Sequence, residues 1–270
     1  MKASFRLIHS PPRSSPGGTI IIFAAAFILT IASFAEQTST CVVALSFVLV
    51  ASSVLTRELQ AFHLTWFTAA FVTAPYVLPT LHGWPFHLLF PLLCYSALAL
   101  AVPKLRATVC YMHTGRLSRD VILIALCTVF VSSIALSIWY RAVGPDLTVQ
   151  LAHFPSMPVW MLPLAGLGFS LGNATIEELV YRGIILQALE SAAGSRLVSL
   201  LAQAWLFGAL HYREGFPNGA WGLTMTAVYG IMLGVLRRRS QGMLAPWVVH
   251  VFADCVIFTI LAGMVLNGKG

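Results

Sequence analysis

The sequence predicts an all-α fold, a polytopic membrane bundle of about eight or nine transmembrane helices. Hydrophobic residues make up 58% of the 270-residue chain and charged residues only 9%, against about 25% charged in ordinary soluble domains. So few charges could not cover a water-exposed surface of this size. Several apolar runs also approach the roughly 20 residues needed to span a hydrocarbon core. Finally, the basic residues fall between the apolar runs instead of forming one patch. The net charge of +7 is therefore read as membrane topology, and nucleic-acid binding is excluded as a partner class.

Residues 1–18 are polar and rich in Pro, Ser and Gly, and are predicted to be a cytoplasmic tail. The first apolar run, Thr19–Ala35, is predicted to be an uncleaved span. The small residues Ser33-Phe34-Ala35 before Glu36 offer the competing reading of a signal peptide. Four further runs complete an N-terminal scaffold ending at residue 156: Cys41–Leu55, Phe62–Leu78, Phe86–Val102 and Val121–Tyr140. Pro75 and Pro91 are expected to kink theirs. Pro158–Thr175, Leu197–His211, Ala220–Leu236 and Met243–Leu266 form a second region, residues 157–266. The connectors near 103–120 and 141–157 are too short to fold alone.

Suppose that the N-terminus is cytoplasmic and each run crosses once. Thirteen of the sixteen Lys and Arg residues then lie on the cytoplasmic side, with Arg141, Arg213 and Lys269 as the exceptions. This alternation follows the positive-inside pattern. It predicts a cytoplasmic N-terminus, and it puts Glu177 near the cytoplasmic end of its helix. A bacterial inner membrane is the expected location, and the lipid bilayer is the first expected partner. Arg237-Arg238-Arg239, followed by Ser240-Gln241-Gly242, reads as a short turn anchored by lipid phosphates rather than a specific ligand site.

Chemistry concentrates in the second region. Glu177 and Glu178 are adjacent acids at membrane depth, where ionisable groups are costly and mark function by default. The segment from Asn173 to Gln187 reads as a helix, on which neighbouring residues point about 100° apart. Glu178 faces Arg182 at i+4, so that pair satisfies itself. Glu177 is left as the free carboxylate, able to face a cavity and act as a general base. A buried ion-pair network that only joins helices is the competing reading. Phe207 and His211 share one helix face, as do His250 and Asp254. Two polar groups on one face of an apolar helix suggest a wet cavity. Helix-joining contacts are the competing reading for both pairs.

The remaining histidines are read as non-catalytic: His9, His82, His113 and His153 in tails or connectors, His63 and His87 at span edges. Cys41, Cys94, Cys110, Cys127 and Cys255 form no CxxC and are expected to be small buried apolar residues. The tryptophans fall mostly near span ends, as interfacial belts require.

The order Glu177-Glu178…Arg182, Phe207…His211, His250…Asp254 gives EExxxR, FxxxH and HxxxD. It resembles the CAAX-protease and bacteriocin-processing family of intramembrane endopeptidases, which includes the Ras-converting endopeptidases. Gly230-Ile231-Met232-Leu233-Gly234 and Pro246 add to the likeness, which covers about residues 157–257. The resemblance implies that Glu177 and His211 activate water against a peptide carbonyl, and that His250, supported by Asp254, donates to the oxyanion. Glu178, Arg182 and Phe207 would support them. It implies no cofactor, in contrast to an older metalloprotease label under which Glu177, His211 and His250 would hold zinc. The implied substrate is a membrane protein or lipid-linked peptide: a CAAX-type tail, a sorting tag or a bacteriocin leader. In one respect the chain departs from the family. The last motif commonly ends in Asn, whereas an ionised Asp254 can only accept hydrogen bonds.

Two other classes stay open on the residues alone. A non-catalytic scaffold or immunity protein would not need Glu177 and His211 intact. A small proton-coupled transporter would use a carboxylate–histidine relay, but no repeated halves or paired broken helices are visible. Oligomeric state is not encoded legibly.

Overall fold

The computed structural model describes residues 11–79, 83–152, 154, 156–213 and 215–267, apart from the side chain of Val149. His9, His82, His153, Lys2, Arg6 and Lys269 lie outside the described residues. Among the described residues there is no strand, and nine long helices follow the nine apolar runs. They are α1 Pro16–Phe34, α2 Thr40–Leu55, α3 Leu59–Val77, α4 Phe86–Ala101, α5 Arg119–Val143, α6 Val159–Ala192, α7 Arg196–His211, α8 Gly219–Ser240 and α9 Leu244–Leu266. Short helices at Pro103–Arg106 and Thr148–Ala152 lie between them.

Five of these helices, α1, α5, α6, α8 and α9, are long and apolar enough to cross a membrane; α2 and α4 are shorter, at 16 residues each. Local sequence explains several helix starts. Ser15, Ser39, Ser118 and Ser195 each cap a helix by accepting from a backbone N–H two or three residues on. The outer face of α5 presents Leu123, Leu126, Phe130 and Ile138, all at least 60% exposed. In water such a surface would aggregate, whereas against acyl chains it costs nothing.

α3 packs on α1, α2 and α4, α6 packs on α9, and α7 packs on α8. The α7–α8 contact depends on missing side chains. A Cβ on Gly208 would sit 2.4 Å from the Leu223 carbonyl, and one on Gly222 would sit 2.3 Å from the His211 carbonyl. Small residues let the two backbones approach closely, the usual solution where lipid removes the hydrophobic drive. α1 contributes Ile21, Ile22, Ala25 and Leu29 to the main core.

Three expectations are corrected. The apolar run ending at Thr175 and the helix read over Asn173–Gln187 form one helix that continues to Ala192, so Glu177 lies near the middle of 34 residues and not at an end. Ile184, Ile185, Leu186 and Leu189 are all at most 2% exposed, and their burial drives this extension. The segment after the acids is also not plain α-helix. Leu179–Ile185 forms a π turn within α6, a distortion that is frequent at functional sites. Lastly, none of the cysteines is buried. All five are free thiols; Cys41 and Cys127 are exposed and the other three half-buried. Helices with apolar outer faces have no reason to turn a small apolar residue inward.

Candidate active site

α6, α7 and α9 bring Glu177, Glu178, Arg182, Phe207, His211, His250 and Asp254 together. All seven are at most 9% exposed. Glu177, Phe207, His211, His250 and Asp254 line one cavity of about 920 Å³. Its other walls are mostly apolar, including Leu136, Phe154, Met225, Ile257 and Phe258.

His250 is the hub. Its Nδ1–H donates to Glu178 Oε1 at 2.7 Å, and its Nε2 lies 3.4 Å from Glu177 Oε2 and 3.8 Å from Asp254 Oδ1. Arg182 Nη1 donates to the same Glu178 oxygen at 2.8 Å. The i+4 pairing read from sequence is present, but Glu178 also grips a histidine 72 residues away. Fixing Nδ1 in this way aims Nε2 into the cavity, as an orienting partner does for a catalytic imidazole. Support of His250 by Asp254, expected from the resemblance, takes the form of a longer ionic contact. At 3.8 Å Asp254 stands beyond hydrogen-bond reach of the ring, and Glu178 makes the hydrogen bond that orients it. Asp254 Oδ2 instead accepts from Asn173 Nδ2 at 3.1 Å.

His211 has a defined tautomer. Its Nδ1 lies 3.0 Å from the Phe207 carbonyl. A carbonyl only accepts, so Nδ1 carries the proton and the neutral ring keeps a lone pair on Nε2. The Phe207 ring is the central spacer. Arg182 Cζ lies 4.4 Å from its centroid, His211 packs edge-on at 5.0 Å and His250 at 5.9 Å. The guanidinium thus meets a π face on one side and a carboxylate on another.

Three site residues were missed by the sequence reading. Asn173 connects Asp254 to Trp84, whose Nε1–H donates to Asn173 Oδ1 at 2.8 Å. Asn173 sits four residues before Glu177, on its helix face, and that spacing was an available signal. Trp84 gives no such signal, since it lies in a connector 89 residues away. Gly215 takes φ +113°, and a Cβ there would stand 2.6 Å from His211 Cδ2. Gly215→Ala is therefore strained in its backbone and pushes the imidazole. We expect it to lower turnover by an order of magnitude or more at unchanged expression, measured on a peptide substrate; wild-type turnover would refute this.

Histidines read as non-catalytic are placed as follows. His63 is buried in a separate polar network. Its Nε2 is 2.8 Å from Thr108 Oγ1 and its Nδ1 is 2.9 Å from the Tyr95 hydroxyl. Tyr111 donates to that hydroxyl at 3.2 Å, and burial pushes the Tyr111 phenol up, so it stays protonated. His87 lines the main cavity. The zinc reading needs Glu177, His211 and His250 to converge on one ion. Among the described residues, no three His, Cys, Asp or Glu side chains are placed to hold a metal.

Residues 157–256 match the family described as type II CAAX prenyl endopeptidase, Rce1-like. The match spans the seven clustered residues together with Asn173 and Gly215, but not Trp84 or the cavity walls at Leu136, Phe154, Ile257 and Phe258. It supports a membrane-embedded protease and hydrolase, and a membrane-associated substrate. No curated protein and no solved structure matches the chain.

Proposed function

We propose that this chain, whose C-terminal half carries the Rce1-like match, is an intramembrane endopeptidase of the glutamate type, with a cytoplasmic N-terminus in a bacterial inner membrane. The observation that carries the reading is the 920 Å³ cavity lined by Glu177, His211 and His250 together with mostly apolar side chains. A peptide bond delivered in a membrane-borne segment meets acid, base and donor together there.

Water lodges between Glu177 and the Nε2 lone pair of His211. These groups take its proton as its oxygen bonds to the carbonyl carbon. Negative charge develops on the carbonyl oxygen, and His250 Nε2–H donates to it while Nδ1–H stays on Glu178. The carbon–nitrogen bond then breaks. The proton held by Glu177 and His211 passes to the leaving nitrogen, giving a carboxylic acid and an amine, and the acid's remaining proton then moves to the amine to leave carboxylate and ammonium. Every step uses side chains alone, and neither a metal nor a covalent nucleophile is needed. Chelator-treated protein should retain its turnover. Asn173 and Trp84 fix Asp254 so that its charge faces His250. The substrate is a CAAX-type tail, a sorting tag or a bacteriocin leader.

Asp254→Asn is expected to retain most activity, because the amide still accepts from Asn173 and adds a donor, whereas Asp254→Ala should lower kcat about 10-fold or more. Equal activity of both variants would remove Asp254 from the mechanism. The function itself is tested by comparing membrane-protein termini in the native host between wild type and a Glu177→Gln strain at matched protein levels. Termini that appear only in wild type support proteolysis and name the substrate. Unchanged termini, with a phenotype that needs the protein but not Glu177, would replace this reading by a non-catalytic scaffold.

A further inference from the structure

A second cavity, of about 600 Å³, has Arg182 in its wall, a residue that does not line the catalytic cavity. Six arginines line it: Arg116, Arg182, Arg196, Arg237, Arg238 and Arg239. The one acid in its wall is Glu190, and that carboxylate is taken by Arg238 Nε at 2.7 Å. Arg238 also donates to the Arg196 carbonyl at 2.6 Å and to Ser199 Oγ at 2.8 Å, so it serves as wall and not as ligand. Arg116, Arg196, Arg237 and Arg239 form no ion pair among the described residues. Nε and Nη2 of Arg182 and Nε of Arg237 are buried with no hydrogen-bond partner. Arg182 itself is 1% exposed.

We propose that this pocket binds a phosphate group. Arg116, Arg196 and Arg239, which form no ion pair, converge on one pocket with Arg237, which Glu190 and Glu178 attract; the guanidinium groups repel one another, and an anion relieves that repulsion. The C-terminal dipole of α8 offsets only about half a charge. Positive-inside topology accounts for arginines on one side of a membrane but not for their convergence in a cavity with unused, buried N–H groups. The guanidinium fork matches phosphate oxygens in pairs.

The pocket is also rigidly framed. Met243 N–H donates to the His113 carbonyl at 2.7 Å, Leu244 N–H to the Thr114 carbonyl at 3.3 Å, and Arg116 N–H to the Ser240 carbonyl at 2.7 Å. These bonds zip the 113–116 connector to the turn after α8. Gly115 and Gly242 make the close approach, since a Cβ on Gly242 would meet the Gly115 backbone at 2.2 Å. Arg116 is thereby presented opposite Arg237 and Arg239. The turn that sequence alone reads as a generic lipid anchor is one wall of a built site. Arg182 lines this pocket and donates through Nη1 to Glu178, so the phosphate lies one side chain away from that carboxylate.

The source of the phosphate is either an anionic phospholipid headgroup or a free phosphate ion. Full-length purified protein would be compared with Arg116→Gln/Arg237→Gln and with the equal-charge control Arg106→Gln/Arg141→Gln, whose positions are exposed elsewhere. Native mass spectrometry counts phosphatidylglycerol carried from mixed zwitterionic–anionic micelles, and thermal unfolding is followed with inorganic phosphate against chloride at matched ionic strength. Phosphatidylglycerol retained by wild type and control but lost from the pocket variant supports the site with a lipid source. A rise in Tm of a few degrees with phosphate, present in wild type and control and absent in the pocket variant, supports it with a free ion. Equal retention and equal shifts in all three proteins would overturn the proposal, as would no retention and no shift in wild type. Neither readout depends on proteolysis, so the result stands apart from the proposed function.

Discussion

Glu177→Gln should lower turnover by about 10³-fold or more and leave the protein folded. The amide keeps the shape of the side chain but cannot accept a proton from water. General-base catalysis alone supplies about 10²–10⁴-fold. Folding should survive because Glu177 is the least committed acid of the cluster. Its nearest ionic contact, to His250 Nε2, is 3.4 Å long, while Arg182 and His250 Nδ1 are both held by Glu178. The check is kcat on a cleaved substrate together with the thermal unfolding midpoint in the same detergent. Wild-type kcat in this variant would sink the catalytic assignment, and a large drop in Tm would recast Glu177 as structural.

Arg182→Ala should produce the largest loss of stability of any single change in the site. The side chain is 1% exposed, neutralises Glu178 at 2.8 Å and stacks over Phe207. Removing one partner of a buried ion pair strands the other, at a cost of about 3–5 kcal/mol. Activity should fall as well, because an unbalanced Glu178 no longer holds His250 in one orientation. Glu178→Gln added to Arg182→Ala should recover part of the stability, since it removes the stranded charge. Thermal unfolding of the two variants decides the matter, and a double variant no more stable than Arg182→Ala would show that packing on Phe207, not charge, is what was lost. Lysine at this position should not rescue fully, since its point charge cannot spread over an aromatic face as a guanidinium does.

The chemistry was legible because ionisable groups are rare in apolar helices, so Glu177, Glu178, Arg182, His211, His250 and Asp254 stood out by type alone. The i+4 rule gave the Glu178–Arg182 bond correctly. It could not give the bond from Glu178 to His250, because spacing along one helix carries no information about which helix packs opposite. Asn173 and Trp84 were passed over for the same reason. An asparagine in a membrane helix or a tryptophan near a span end is unremarkable until tertiary packing joins them to Asp254. The nine apolar runs located the nine helices, but Glu177 was placed too near the end of α6. Hydropathy falls at the two glutamates, while the helix continues because Ile184, Ile185 and Leu189 are buried against neighbouring helices. The π turn followed no visible sequence signal.

The length of α6 also constrains reach. Glu177 lies eighteen residues from Val159 and fifteen from Ala192, or about 27 Å and 22 Å along the axis. An extended peptide advances about 3.3 Å per residue. A tail threading alongside α6 from the nearer end therefore uses about seven residues before its first peptide bond meets the carboxylate. A stub of three or four residues falls short by that route. It arrives by a shorter route, either sideways between the helices on its own lipid or apolar anchor or past the connectors at Trp84 and Gly215 that line the same cavity, so the depth of the glutamate selects how a substrate comes in as well as what it is.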